Sequence, residues 1–72
     1  MTTEEFAIKL QDVLQTDMVL SEDTVLSDLE EWDSLAMMAT MSFLNRNFGV
    51  KTNITELAAL ETVCDLMKKA GL

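Results

Sequence analysis

Apolar side chains recur along the chain at the three- and four-residue spacing of helices. In the first segment, Phe6, Leu10 and Val13 fall on one face, and Thr2 begins a capping-box pattern just before them. The pattern predicts a first helix from about Thr3 to Gln15.

The second helical segment is apolar nearly all round. It is predicted to run from Leu35 to Phe48, with Asp33 as its N-cap and Gly49 as its C-cap. No charged residue occurs between positions 34 and 45. A helix of this kind in a small domain must either be central or keep a face for a partner.

Two shorter helical segments follow. Asn53 has capping-box-like spacing with Glu56 before a brief helix, and Thr62 opens a last helix that Gly71 ends. The fold class is therefore all-α, with three main helices and one short helix. The length of 72 residues predicts a single domain spanning 1–72.

A long loop is predicted between the first two helices, from Asp17 to Asp33. It contains seven of the thirteen acidic residues and no basic residue. The residues expected to anchor it to the core are Val25, Leu26, Leu29 and Trp32. Connections this long are usually functional. The loop lacks the residue order of an EF-hand, so no metal site is predicted. The residues expected to face the core are Phe6, Leu10, Val13, Leu26, Met37, Met41, Leu44, Phe48, Leu57, Val63 and Leu66.

Composition narrows the possible functions. A net charge of −8 repels phosphate backbones and anionic lipids, so neither nucleic-acid binding nor membrane insertion is expected, and basic partners are favoured. The chain has no histidine and no tyrosine, which leaves no plausible pair of nucleophile and base, so we do not expect an enzyme. The single Cys64 cannot form an internal disulfide, and we expect it to be a small buried side chain rather than a reactive thiol. We expect a cytoplasmic monomer.

Ser34 stands at the start of the second helix and has two interpretations. A serine there most often serves only as a cap. Here Asp33 already fits the cap, and the chain offers no base to activate Ser34. This favours a serine that another enzyme modifies, and a phosphate ester there would lie at the positive end of the helix dipole.

The segment Trp32-Asp33-Ser34-Leu35 resembles the Asp-Ser-Leu attachment motif of acyl carrier proteins and related phosphopantetheine-binding carrier domains. The resemblance extends to the length, the acidic balance, the long first loop, Phe48-Gly49 and Thr62-Val63. It implies a right-handed four-helix bundle that performs no catalysis itself. A holo-acyl-carrier-protein synthase, using coenzyme A and magnesium, would attach 4′-phosphopantetheine to Ser34. Asp33 would support the transfer site, with Leu35 beside it, and acyl intermediates would be carried as thioesters.

The chain departs from the better-known fatty-acid carriers. The proline that often opens their third helix is replaced by Asn53, and Trp32 precedes the motif. The acids that line their second helix are replaced by Ala36, Ala39, Asn45 and Arg46. These departures favour a carrier for a specialised fatty-acid or polyketide-type pathway. The alternatives are a peptidyl or aminoacyl carrier loaded by an adenylating ligase, and an unmodified helical adaptor that binds a partner through its second helix.

Two further sets of residues are candidates for function. Met37, Met41, Leu44 and Leu57 are either plain core or a pliable acyl pocket, since methionine adapts to changing contents. Acyl-loading and acyl-processing enzymes with basic or apolar docking patches are the expected partners. The predicted partner-binding residues are Asp28, Glu30, Glu31, Leu35, Ala36, Met38, Ala39, Ser42 and Arg46.

Overall fold

A computed structural model describes residues 1–72 and shows four α-helices with one short 3-10 helix. The helices are α1 (Thr3–Leu14), α2 (Ser34–Phe48), α3 (Ile54–Ala58) and α4 (Val63–Ala70), and the 3-10 helix Leu26–Asp28 lies in the long loop before α2. The predicted all-α class and the order of helices are confirmed. Helix α1 ends one residue earlier than predicted because Gln15 adopts a left-handed conformation, with φ of 55°, and closes the helix as its C-cap.

Capping boxes fix the starts of α1 and α4. The Thr2 hydroxyl accepts a hydrogen bond from the Glu5 N–H at 3.1 Å, and the Glu5 carboxylate accepts one from the Thr2 N–H at 3.2 Å. Thr62 and Asp65 form the same pair at α4. The hydrogen bond from the Thr2 backbone holds the pKa of Glu5 below its usual value, and that from the Thr62 backbone does the same for the pKa of Asp65.

Three aromatic rings join α1 to α2 at the centre of the core. Phe6 lies 5.5 Å from Phe43 and 5.9 Å from Phe48, and the two α2 rings are 6.0 Å apart. The edge-on and tilted arrangements are those that aromatic rings prefer. The other buried apolar residues are Ala7, Leu10, Leu14, Leu20, Leu26, Leu29, Ala36, Leu44, Leu57, Val63, Leu66 and Met67. Partly buried residues packed against them are Val13, Trp32, Met37, Met41, Phe48, Leu60 and Ala70.

The rotation of α2 differs from the predicted one. Its buried face carries Ala36, Thr40 and Phe43, together with the expected Leu44. The other α2 residues expected in the core are only half-buried: Met37, Met41 and Phe48. The uncharged stretch of α2 has no polar face to mark the solvent side, so the pattern alone could not fix the rotation. Thr40 is tolerated inside because its hydroxyl donates to the Ala36 carbonyl at 2.8 Å.

The long loop lies against the body of the molecule. Leu26 and Leu29 are buried and Trp32 packs against the core, as predicted, and Leu20 is buried as well. Val25 is a correction: its side chain is 39% exposed, and its main chain forms the bridge to Thr62 instead. A single antiparallel bridge also fastens the loop to the start of α4. The Val63 N–H donates to the carbonyl of residue 24, and the N–H of residue 64 to the carbonyl of residue 22, both at 3.0 Å. These main-chain bonds satisfy two of the four N–H groups that a helix start leaves without partners.

The structure also shows the environment of Cys64 and the apolar character of the helices. Cys64 is half-buried rather than buried, and its thiol is free. None of the four helices combines the length and the apolar character that crossing a membrane requires.

Candidate functional site

Ser34 is the first residue of α2, and its side chain is exposed. The N-cap is Asp33, whose Oδ1 accepts a hydrogen bond from the Ala36 N–H at 2.9 Å, while its carbonyl accepts one from the Met37 N–H at 2.9 Å. The Ser34 hydroxyl makes no hydrogen bond within the chain, and the N–H groups of Ser34 and Leu35 also have no acceptor. The helix is therefore capped without Ser34, and its hydroxyl is free.

The surroundings of Ser34 supply a place for negative charge but no base. Two free N–H groups at the positive end of a helix are a favourable setting for a phosphate. The chain contains no histidine. A serine hydroxyl needs a base to act as a nucleophile. Ser34 is thus suited to accept a group from another enzyme rather than to react unaided.

A cavity of about 570 Å³ lies between the end of α1 and the first turns of α2. Its lining is mainly apolar, with two carboxylates: Val13, Leu14, Gln15, Glu31, Asp33, Leu35, Ala36, Met38 and Ala39. The sequence did not indicate Val13, Leu14 and the C-cap Gln15 at the end of α1 as part of this site. Nothing in the local pattern of α1 shows that its end meets the start of α2, because that contact joins segments about twenty residues apart.

Most of the predicted partner-binding residues lie on the surface. Leu35 is 73% exposed and Met38 is 53% exposed, which is unusual for apolar side chains of this size. The other exposed members are Asp28, Glu30, Ala39, Ser42 and Arg46, and Glu31 is half-buried. Ala36 is a correction to the predicted exposed surface: it is only 8% exposed and lies on the core face of α2, where it also lines the 570 Å³ cavity.

The predicted acyl pocket is packed in this structure. Leu44 and Leu57 are fully buried, and Met37 and Met41 pack against the core while half-buried. Of these four residues only Met41 lines any of the three cavities. Packing against the core is thus observed for all four residues, and their role as an acyl pocket stays a prediction.

The acidic loop does not gather its carboxylates at one point. No group of three or more acidic, histidine or cysteine side chains is placed to hold a metal ion.

Comparisons with known proteins agree with this geometry. The family model described as the phosphopantetheine attachment site matches residues 5–68. The fold is similar to the solution NMR structure of holo acyl carrier protein from Geobacter metallireducens, with a TM-score of 0.74 and 27% sequence identity. That match covers 99% of this chain and 84% of the other. No curated protein sequence matches the chain with significance.

The family match spans nearly the whole chain and includes the exposed serine at the head of α2. Carrier domains of this kind are generally non-catalytic, which agrees with a site that has a free hydroxyl and no base. The chain belongs to the acyl carrier protein family, whose 4′-phosphopantetheine is attached covalently.

Proposed function

We propose that Ser34 carries the 4′-phosphopantetheine arm and that the chain presents acyl intermediates as thioesters in a specialised fatty-acid or polyketide-type pathway. The observation that carries the proposal is the exposed Ser34 hydroxyl at the head of α2, left free because Asp33 caps the helix. A serine needed for capping would accept a hydrogen bond from the first turn, and Ser34 accepts none.

The first turn of α2 suits the product of attachment. Transfer from coenzyme A forms a phosphate ester on the Ser34 oxygen and releases the nucleotide part, while a base of the synthase takes the hydroxyl proton. The free N–H groups of Ser34 and Leu35 then face the new negative charge. The exposed Asp33 carboxylate, by resemblance to the family, helps the synthase to hold its magnesium. The arm supplies the thiol that forms the thioester.

The surface of α2 supports a dedicated set of partners. Family members interact with the synthase and with acyl-processing enzymes. On this chain, the exposed residues of α2 in the two turns that follow Ser34 include Leu35, Met38 and Ala39, none of them charged. We propose that a partner places an apolar side chain in the adjoining 570 Å³ cavity. The exposed acids Asp28 and Glu30 would guide basic partners toward it, an attraction that salt weakens.

Intact mass spectrometry tests the attachment. After incubation with coenzyme A and a promiscuous holo-synthase, the protein should gain the mass of one phosphopantetheine. Ser34→Ala should abolish the gain and keep the fold, since Asp33 remains as the cap and alanine favours helix. Ser27→Ala, which removes another exposed serine hydroxyl outside the predicted partner-binding residues, is the control and should still gain the arm. An arm on the Ser34→Ala protein would disprove the assignment.

Intact mass also separates the alternative functions when a loading reaction follows the incubation with the holo-synthase. An unmodified adaptor would gain no mass under any condition. A peptidyl or aminoacyl carrier would gain the arm and then be loaded by an adenylating ligase with ATP and an amino acid. An acyl carrier of the proposed kind would instead accept fatty or polyketide-type acyl groups and fail to accept amino acids.

A further inference from the structure

Of the three cavities in the molecule, the one of about 570 Å³ adjoins Ser34. Asp33 and Leu35, the neighbours of Ser34 in the chain, both line it, and its other α2 residues lie within about 7.5 Å of Ser34 along the helix axis. A second cavity is lined from the start of α1, the long loop and α4. The third lies beside the C-terminal half of α2 and is lined in part by Arg46, Lys51 and Thr52. A group attached to Ser34 is therefore closest to the 570 Å³ cavity.

The walls of the 570 Å³ cavity leave apolar surface uncovered. Leu35 and Met38 line it and are mostly exposed, together with the exposed Ala39 and the half-buried Val13. Covering apolar surface is favourable, and exposed apolar surface marks places where another group binds. The cavity is open to solvent, so a group can enter and leave without a change of fold.

Polar side chains of the same cavity are free to accept hydrogen bonds. Glu31 is half-buried, and its carboxylate makes no hydrogen bond or ion pair within the chain. Asp33 uses Oδ1 for the Ala36 N–H and leaves its other oxygen without a partner. Carboxylates accept N–H and O–H donors. A ligand that fits this cavity therefore combines apolar surface with hydrogen-bond donors.

Gln15 contributes an observation from the backbone. It is the one residue other than glycine with a positive φ, and it lines the 570 Å³ cavity. A left-handed residue that ends a helix is usually glycine, as Gly49 is for α2 and Gly71 is for α4. A long side chain at such a position, beside Ser34, indicates that the side chain has a use there.

We infer that the 570 Å³ cavity, at the junction of α1 and α2, holds the pantoyl part of the 4′-phosphopantetheine arm when no partner enzyme is bound. The inference rests on the proposed function, because attachment at Ser34 brings the arm to the cavity. The volume lies within the range of about 300–1,000 Å³ in which proteins hold small ligands. The arm also has the required chemistry, with a dimethyl group next to its phosphate and then a hydroxyl and two amides.

Each part of the cavity has a role toward the arm. Val13, Leu35 and Met38 cover the dimethyl group, while Glu31 and Gln15 accept hydrogen bonds from the hydroxyl and the amide N–H groups. A tethered group has an effective concentration of about the millimolar range, so weak contacts suffice to hold it.

The site differs from the predicted acyl pocket and bears on docking. That pocket includes Leu57 of α3, whereas no α3 residue lines the 570 Å³ cavity. The arm and the partner side chain proposed for the same cavity occupy it in turn. A docking partner therefore displaces the arm and frees it to enter the partner.

NMR spectra of the apo and holo proteins test the inference, with attachment confirmed by intact mass. In the holo protein the pantoyl methyl groups should show NOEs to the methyl groups of Val13. The backbone amide signals of Val13 and Gln15 should shift on attachment, although both residues belong to the end of α1.

A pair of phenylalanine variants separates the cavity from the rest of α2. Ala39→Phe fills the cavity from an exposed position and should abolish the NOEs to Val13 while the arm stays attached. Asn45→Phe is the matched control and should keep them, because Asn45 is also exposed on α2 but lies outside the cavity.

Gln15→Gly tests the side chain at the end of α1. Glycine suits the left-handed backbone, so the Tm should stay the same or rise. The ratio of bound to free arm, measured from the NOE intensities, should fall by about two- to tenfold because one hydrogen bond is lost.

The results distinguish the inference from the proposed function. Attachment without NOEs to Val13, or with NOEs to Met41 and Leu57 in their place, would overturn the inference and leave the proposed function standing. Amide shifts at Val13 and Gln15 that persist unchanged in Ala39→Phe would come from the charge of the phosphate and would also overturn it. A protein that gains no mass would overturn both.

Discussion

Ala36 and Met38 are two residues apart on α2 and lie in opposite surroundings. Ala36 is 8% exposed and Met38 is 53% exposed. Ala36→Glu would bury a carboxylate without a partner and should destabilise the domain by several kcal/mol, whereas Met38→Glu should leave it folded. Urea denaturation of the two variants measures the difference. Equal free energies of unfolding would mean that α2 is rotated from the orientation described.

Met38→Glu also tests the proposed docking surface. The variant should fold normally and lose turnover with the enzymes that load and process its cargo. Ile8→Glu is the control, since Ile8 is 59% exposed on α1 and outside the 570 Å³ cavity. Undiminished turnover by folded Met38→Glu protein would exclude this surface as the contact.

Phe43 and Phe48 belong to the same aromatic cluster but differ in burial. Phe43 is buried, so Phe43→Ala should cost about 3–5 kcal/mol, which would unfold most of a domain whose total stability lies at the low end of about 5–15 kcal/mol. Phe48 is half-buried, so Phe48→Ala should cost less. Circular dichroism melting curves compare them, and a greater loss for Phe48→Ala would contradict the described packing.

At the scale of the helices, the two capping boxes predict how stability depends on pH. Hydrogen bonds from the Thr2 and Thr62 backbones lower the pKa of Glu5 and of Asp65 in the folded chain. Each carboxylate therefore stabilises the fold fully above its ordinary pKa of about 4, and this stabilisation is lost as the pH falls through the lowered folded value. The Tm should decrease on acidification through this range.

Glu5→Gln and Asp65→Asn remove the titrating groups and should make the decrease of Tm shallower. Glu4→Gln, in the same first turn but without a capping hydrogen bond, is the control and should change the slope less. A slope that Glu5→Gln and Asp65→Asn leave unchanged would show that other groups govern the acid sensitivity.

At the scale of the helices, the sequence predicts where each helix starts better than it predicts how the helices pack. Caps are short-range signals, and Thr2, Asp33, Asn53 and Thr62 each begin a helix as predicted. The bridge between the long loop and α4 was not predicted, because its main-chain bonds join segments about forty residues apart and leave no trace in side-chain identity. The rotation of α2 was predicted wrongly for a different reason. Residues 34–45 carry no charge, so their pattern does not distinguish the side that faces solvent from the side that faces the core.

For the whole molecule, the net charge of −8 predicts a specific response to salt. Seven of the thirteen acids lie in the loop between positions 17 and 33, and the single ion pair neutralises little of the total. Self-repulsion opposes the compact state and is screened by salt. The Tm should therefore rise between about 10 mM and 150 mM sodium chloride at pH 7. A Tm that falls over this range would contradict the prediction.

The family and the helical class could be predicted because one short motif lies at a recognisable place in a helical chain. The cavities could not be predicted in the same way. Lys51 and Thr52 lie in a connector without any pattern, and only the folded chain brings them beside Arg46. The apolar cavity near Ser34 likewise depends on the end of α1, which no local signal associates with α2.

The bridge between the long loop and α4 also bears on protein synthesis. The main-chain groups of residues 22 and 24 bond to those of residues 64 and 63, so the loop that leads into Ser34 cannot take its folded course until this last helix has begun to form. On the ribosome, the end of the domain that contains Ser34 is therefore completed late, although its residues are made in the first half of translation. In a nascent chain that stops before residue 63, Ser34 would follow a loop that nothing yet holds to the last helix. Under the proposed function, a holo-synthase that recognises the folded shape would act only afterwards.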